Sequence, residues 1–326
     1  MSKGTAERVA PPPLVGTGRQ RRLISGDRVF ATFAYGAAAL ILLIAVIFVV
    51  ALVIPALPAI TKFGFSFFVT RTWDPVRLQF GALPAIYGTL VTSAIALVIA
   101  FPIGLGAALF LAEDARLRFL RGPISFAIEL LAGIPSVVIG LWAFFILTPL
   151  MRDNVDPFLR HTLGFLPFFQ GSSSGYGFLT AGIVLAIMVL PIMIALSRDV
   201  IRAVPRALRE GSLALGATNA ETIWSVILPY ARVGITGAVL LSLGRALGET
   251  IAVTMVIGNR PQIVASLFAS GYTLPSVIAN EFAEAVGDLY LGALFYLGVV
   301  LILITIAVNV LARLLVWRFT SEATAS

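Results

Sequence analysis

Residues Val233 to Gly258 read VGITGAVLLSLGRALGETIAVTMVIG, an apolar run interrupted by two charges, Arg245 and Glu249. At 1.5 Å per residue a helix of this length crosses the roughly 30 Å of hydrocarbon in a bilayer. A charge near mid-bilayer costs about 2.5–3.5 kcal/mol on insertion scales, so it is rarely kept without a use. The i, i+4 spacing puts both side chains on one helix face, where each partly neutralises the other. A guanidinium fork also holds an oxyanion well, through two parallel hydrogen bonds. Two readings follow: an ion pair that locks membrane helices together, or an anion site on a transport path.

The rest of the composition agrees with a membrane protein. Hydrophobic residues make up 59% of 326 positions and charged residues 12%, against roughly 25% charged in soluble domains. With no cysteine, disulfides, thiolate metal sites and cysteine nucleophiles are excluded. The single histidine, His161, falls in an expected loop and rules out a histidine relay or a multi-histidine metal cluster. The net charge of +7 is spread over loops beside apolar spans, which fits anionic lipid headgroups and calls for no nucleic acid.

Six spans satisfy a requirement of about 20 mainly apolar residues. They lie at roughly 30–54, 82–111, 124–149, 176–197, 233–258 and 290–313, giving an all-α integral membrane fold. Phe30–Ile54 starts too late and runs too long for a cleaved signal peptide and reads as a retained first span. Pro102, Pro135 and Pro191 predict kinked or interrupted helices. Sixteen lysines and arginines fall on one side of these spans and six on the other, Arg245 completing the 23. The excess places both termini in the cytoplasm. Residues 1–28 read as a disordered basic tail with Pro11, Pro12 and Pro13. Residues 29–326 read as the transmembrane domain. The segment Gly171-Ser172-Ser173-Ser174-Gly175 marks the external connection 150–175 as flexible. The acids Glu281, Glu284 and Asp288 read as an external solvated loop.

The connection at about 198–232 looks ordered. Pro205 starts a helix through Leu208 and Leu213 to Leu215, and Gly216 ends it. Thr218 or Asn219 caps a second helix carrying Ile223, Trp224 and Ile227, which stops before Pro229. Glu210, Gly211 and Ser212, three residues, Gly216, nine residues, then Val226-Ile227-Leu228-Pro229 resembles the EAA loop of ABC importer permeases. The departures are Gly211 and Ser212, still small, where that pattern has alanines. The resemblance implies that Glu210, Gly211, Ser212, Leu215, Gly216, Ala217 and Thr218 form a coupling contact with an ATPase. Arg198, Arg202, Arg206 and Arg209 fall along one helical side and read as contacts to headgroups or to that interface.

No ATP-binding P-loop is present: Lys3 and Lys62 are the only lysines, and neither sits in the required pattern. Energy therefore comes from a partner or from an ion gradient. Around the charged pair, Gly244-Arg-Ala-Leu-Gly-Glu249-Thr-Ile-Ala-Val-Thr254 resembles the PstC family of phosphate ABC transporter permeases. Trp73-Asp-Pro75, Phe80-Gly-Ala-Leu-Pro84, Tyr87-Gly-Thr89, Ile134-Pro-Ser-Val137 and Ile187-Met-Val-Leu-Pro191 carry the same likeness, which covers roughly residues 70–315. Ile251-Ala-Val follows the Gly-Glu-Thr segment where the sister PstA family has Ala-Pro-Leu. The resemblance implies a type I ABC importer (MetI-like) core in a bacterial plasma membrane. It implies a PstA-like permease, a PstB-like ATPase dimer that binds ATP and magnesium, and a PstS-like phosphate-binding protein. Arg245, Glu249 and Thr250 become the expected substrate-path residues. The alternatives are an ion-coupled secondary anion transporter, which leaves Glu210–Pro229 unexplained, and an ABC permease for another oxyanion. A membrane-embedded enzyme such as an acyl or phosphoryl transferase is disfavoured, since the sequence shows no Ser/His/Asp set and no cluster of acidic metal ligands near a membrane face. Glu129 reads as interfacial, or paired with Arg121, and Ser136 as a packing serine.

Overall fold

The computed structural model describes the backbone of residues 17–113 and 118–321. Ten helices frame those residues: α1 (Thr17–Phe63), α2 (Leu83–Glu113), α3 (Arg118–Gly133), α4 (Ser136–Leu163), α5 (Phe178–Arg202), α6 (Arg206–Ala214), α7 (Asn219–Leu247), α8 (Ile251–Val256), α9 (Leu274–Glu281) and α10 (Asp288–Ser321). Six of them, α1, α2, α4, α5, α7 and α10, are long and apolar enough to cross a membrane. The expected tail to residue 28 shortens, because α1 begins at Thr17; residues 1–16 lie outside the described part. The chain divides into two compact units, up to Ala51 and from Leu52 onward. The first is helical from Thr17, and the second holds every other element.

Pro135 sets the largest departure from the expected spans. It lacks an N–H, and Ile134 before it is disfavoured in a helix. The helix stops at Gly133, Pro135 is extended (φ −58°, ψ 141°), and α4 restarts at Ser136. The span expected at 124–149 therefore straddles an interruption, and α4 runs to Leu163, taking in His161 and shortening the flexible connection. By contrast, α2 and α5 continue through Pro102 and Pro191.

Three wide π turns follow one rule. Ala143–Leu147, Met151–Val155 and Ile223–Ile227 each end two residues before a proline: Pro149, Pro157 and Pro229. A proline removes a helical hydrogen bond and crowds the preceding turn; a local widening re-registers the ladder and lets the helix continue. Thus the helix expected to stop before Pro229 runs on as α7.

The second unit packs around three apolar clusters. The largest joins α2, α4, α5, α7 and α8 through Ala96, Ala143, Leu185, Met193, Ala246 and Val253. Close approach depends on small residues: a Cβ on Gly182 of α5 would lie 2.6 Å from Ile95 Cβ on α2. A second cluster ties Ala56 and Ala59 to Phe67, Phe80 and α10. Its polar edge corrects the reading of Glu281 as a solvated acid. That carboxylate accepts from Trp73 Nε1 (2.6 Å), Tyr290 OH (2.7 Å) and Tyr272 OH (3.3 Å). Glu284 stays exposed, and Asp288 starts α10.

Candidate functional site

The fifth span does not carry its two charges on one uninterrupted helix. α7 ends at Leu247, Gly248 is its C-cap, and α8 starts at Ile251. Arg245 occupies the last turn of α7, where a cation also favours the negative end of the helix dipole. Glu249 lies in the break, its N–H donating to Ala246 O at 3.4 Å. The two still meet: Arg245 Nη2 is 3.3 Å from Glu249 Oε2. Their surroundings differ sharply. The Glu249 side chain is 5% exposed, that of Arg245 49%. Glu249 is flanked along the chain by buried Ala246, Ala252 and Val253, whereas the guanidinium reaches the free surface of the chain. Thr250 lies beside them, but its hydroxyl donates to Gly248 O at 3.2 Å and does not cap α8.

α8 is held from behind by α4. A Cβ on Gly140 would come within 3.0 Å of Ala252 Cα and 2.7 Å of Met255 Sδ. The two interrupted helices therefore lock together beside their breaks, with Gly140 permitting the contact. Glu129 on α3 and Ser136 at the start of α4 contribute no hydrogen bond or ion pair to the Arg245–Glu249 pair. Glu129 is exposed.

The loop region forms as expected at its ends. α6 follows Pro205 and closes at Gly216, whose φ of +92° suits glycine. Ala217 N donates to Ser212 O (3.2 Å) and Gly216 N to Leu213 O (3.0 Å), a Schellman closure. Thr218 is the N-cap of α7. It accepts from Glu221 N and donates its own N–H to Glu221 Oε2 at 2.8 Å, a reciprocal capping box. Glu210, Gly211, Leu215 and Gly216 are exposed, Leu215 by 91%. Ser212 is half-buried against Thr222, Oγ to Oγ1 3.0 Å.

What sequence reasoning missed is how this loop is fastened. Arg209 Nη1 lies 2.8 Å from Glu113 Oε1 at the end of α2, and Nη2 donates to Ile201 O at 2.6 Å. Arg202 Nη2 donates to Leu111 O at 3.1 Å. Both arginines belong to the run read as contacting headgroups or the coupling interface; Arg209 ties α6 to α2 and α5, and Arg202 ties the end of α5 to α2. A cleft of about 930 Å³ opens there, between Phe110, Leu213, Ala217 and Ile223. No local signal marked this in the sequence, because Glu113 lies far from Arg209 along the chain.

A family model described as binding-protein-dependent transport system inner membrane component matches residues 100–321. The phosphate transport system permease protein PstC of Mesorhizobium japonicum is 44% identical over 306 residues, covering 93% of each chain. That of Xylella fastidiosa strain Temecula1 is 45% identical over 309 residues, 94% of this chain and 95% of that one. The chain belongs to the PstC family. A third relative, PstC of Haemophilus influenzae, is 46% identical over 285 residues, 86% of this chain and 90% of its own. The fold agrees: a crystal structure of a bacterial alginate ABC transporter, in complex with its alginate-bound periplasmic protein, aligns with TM-score 0.60 at 17% identity, over 90% of this chain and 97% of that one. The chain thus has an ABC importer permease fold, with the charged break and the fastened loop at two separate places in it.

Proposed function

We propose that this chain is one of two permease subunits of an ATP-driven importer of inorganic phosphate. Its 44–46% identity to PstC proteins over most of its length carries that reading. The half-exposed Arg245 gives it a chemical centre. The guanidinium offers donors to the passing anion, and Glu249 balances its charge while the path is empty. Glu249 can also accept from a protonated phosphate oxygen, a contact that sulfate cannot offer. One guanidinium against a mostly divalent anion leaves negative charge, so a companion permease adds a second donor across the path. Thr250 belongs to the same wall.

Both termini lie in the cytoplasm, and the α6 loop faces a partner ATPase that binds ATP and magnesium; this chain catalyses nothing itself. Exposed Glu210, Leu215 and Gly216 meet the ATPase, and a phosphate-binding protein delivers substrate to the opposite side. The test is phosphate uptake into proteoliposomes bearing the assembled transporter. Arg245→Ala is expected to abolish uptake while membrane insertion and ATPase docking persist. Normal uptake by that variant removes the arginine from the mechanism.

A further inference from the structure

The connection before α5 and the segment after α8 build a second polar site that the charged break does not use. Backbone and side-chain bonds join them: Leu267 N donates to Phe168 O (2.9 Å), Ser266 Oγ to Gln170 O (2.6 Å) and Gly177 N to Val256 O (3.1 Å). Between them lies a cleft of about 320 Å³ lined by Ser172, Ser173, Ser174, Arg260, Gln262 and Ser270. Small-ligand pockets begin at about 300 Å³, so the space suits a small ion with some of its water. All of α5, 25 residues, separates Ser174 from the α6 loop. The cleft therefore sits at the far end from the coupling contact.

Its chemistry is one-sided. Among the described residues, no carboxylate lines it. The Arg260 guanidinium has no hydrogen-bond or ion-pair partner among the described residues, and the Ser172 hydroxyl has none either. Ser174 Oγ makes only a long 3.4 Å bond to Tyr176 O. Ser173 Oγ, by contrast, is committed to Asp156, and Gln262 Nε2 to Ser270 O at 2.7 Å. Asp156 lies behind Ser173 in a smaller cavity that also contains Arg152 and Arg160. A free guanidinium fork beside the free Ser172 hydroxyl and the weakly held Ser174 hydroxyl matches a tetrahedral oxyanion. Arg260 is also close along the chain to the charged break. α8 has Glu249 just before it and Arg260 just after it, across a turn where Gly258 (φ +89°) and Asn259 (φ +49°) fix the chain direction.

We infer that this cleft is a reception site, in which Arg260 with Ser172 and Ser174 holds phosphate before it reaches Arg245. The inference rests on the phosphate reading of the chain. It gives the two arginines sequential roles, one before the break that precedes the six-residue helix α8 and one after that helix.

The experiment uses the complete transporter. Equilibrium binding of radiolabelled inorganic phosphate is measured in lipid nanodiscs without the binding protein, and uptake is measured in proteoliposomes with it. Arg245→Ala should retain a phosphate-binding component that Arg260→Ala removes. Arg260→Ala should cut maximal uptake about tenfold or more, as expected for one lost charge-assisted contact, with the half-saturating concentration of binding protein unchanged. Arg260→Lys should recover part of the rate. If Arg260→Ala fails to assemble, the double variant Ser172→Ala, Ser174→Ala carries the same expectation. Wild-type binding and uptake by the variants overturns the reception site alone. So does a raised half-saturating concentration at full maximal rate, which makes Arg260 a docking contact. Absence of phosphate uptake by the unaltered complex overturns the functional assignment as well.

Discussion

Arg245 and Glu249 share one ion pair but not one environment, and their substitutions should differ accordingly. Truncating the buried acid leaves the guanidinium without a partner, whereas Glu249→Gln keeps the shape and removes the charge. The amide donates as well as accepts, so it no longer requires a proton on the substrate. In Glu249→Gln, excess sulfate should inhibit phosphate uptake measurably, while the unaltered transporter ignores it; equal insensitivity of both takes Glu249 out of selectivity. Two glycines of the α6 loop separate in the same way. Gly216 has φ +92°, a region that costs other L-residues about 1–2 kcal/mol, so Gly216→Ala should lower thermal stability and coupling together. Gly211 lies in the helix, and a methyl group added there would meet nothing within 4 Å. Gly211→Ala should leave uptake intact and raise helix stability by about 0.5–1 kcal/mol.

At the scale of elements, the seam between α4 and α8 is the most exacting contact near the break. Gly140→Val should push α8 away from α4, since Ala252 Cα cannot retreat as a flexible side chain would. The expected result is a loss of uptake with assembly retained, read by size-exclusion chromatography; full uptake would show the seam to be slack. The Glu281 cluster is a second brace. Burial pushes the Tyr272 hydroxyl up to about 12, with Asn280 opposing and Glu281 adding to the shift. The folded chain thus holds this proton more tightly than the unfolded chain does. The stability it contributes is complete below pH 10 and is lost as pH climbs from 10 to 12. Tyr272→Phe should flatten that alkaline loss in a thermal-melt series. How legible these elements were depends on reach. The Thr218 cap and the Pro135 interruption were readable because their causes lie within a few residues. The break at Gly248 was not, because a lone glycine is tolerated within a membrane helix and no proline marks it. Glu281 escaped because one of its partners, Trp73, lies 208 positions away, and Tyr272 and Tyr290, though nine positions off, sit on separate elements that only the fold brings together.

For the whole molecule, the proposed orientation ties the two sites to opposite compartments. The chain has no cysteine, so single introduced thiols report on sidedness without background. A membrane-impermeant maleimide should label Ser172→Cys in intact cells, and Leu215→Cys only after the membrane is opened. The reverse pattern would invert the topology and exchange delivery side for ATPase side. That orientation comes from the distribution of lysine and arginine along the chain, whereas the placement of Arg209 required the folded chain.

Arg209 gives the α6 loop a consequence beyond local fastening. In sequence α6 belongs to α5 and α7, yet its ion pair reaches α2, and α2 packs along α5. In the proposed coupling role, a thrust received at the loop would pass to three pillars at once through these bonds. The power stroke should turn them as one keel, carrying Arg245 along as a passenger.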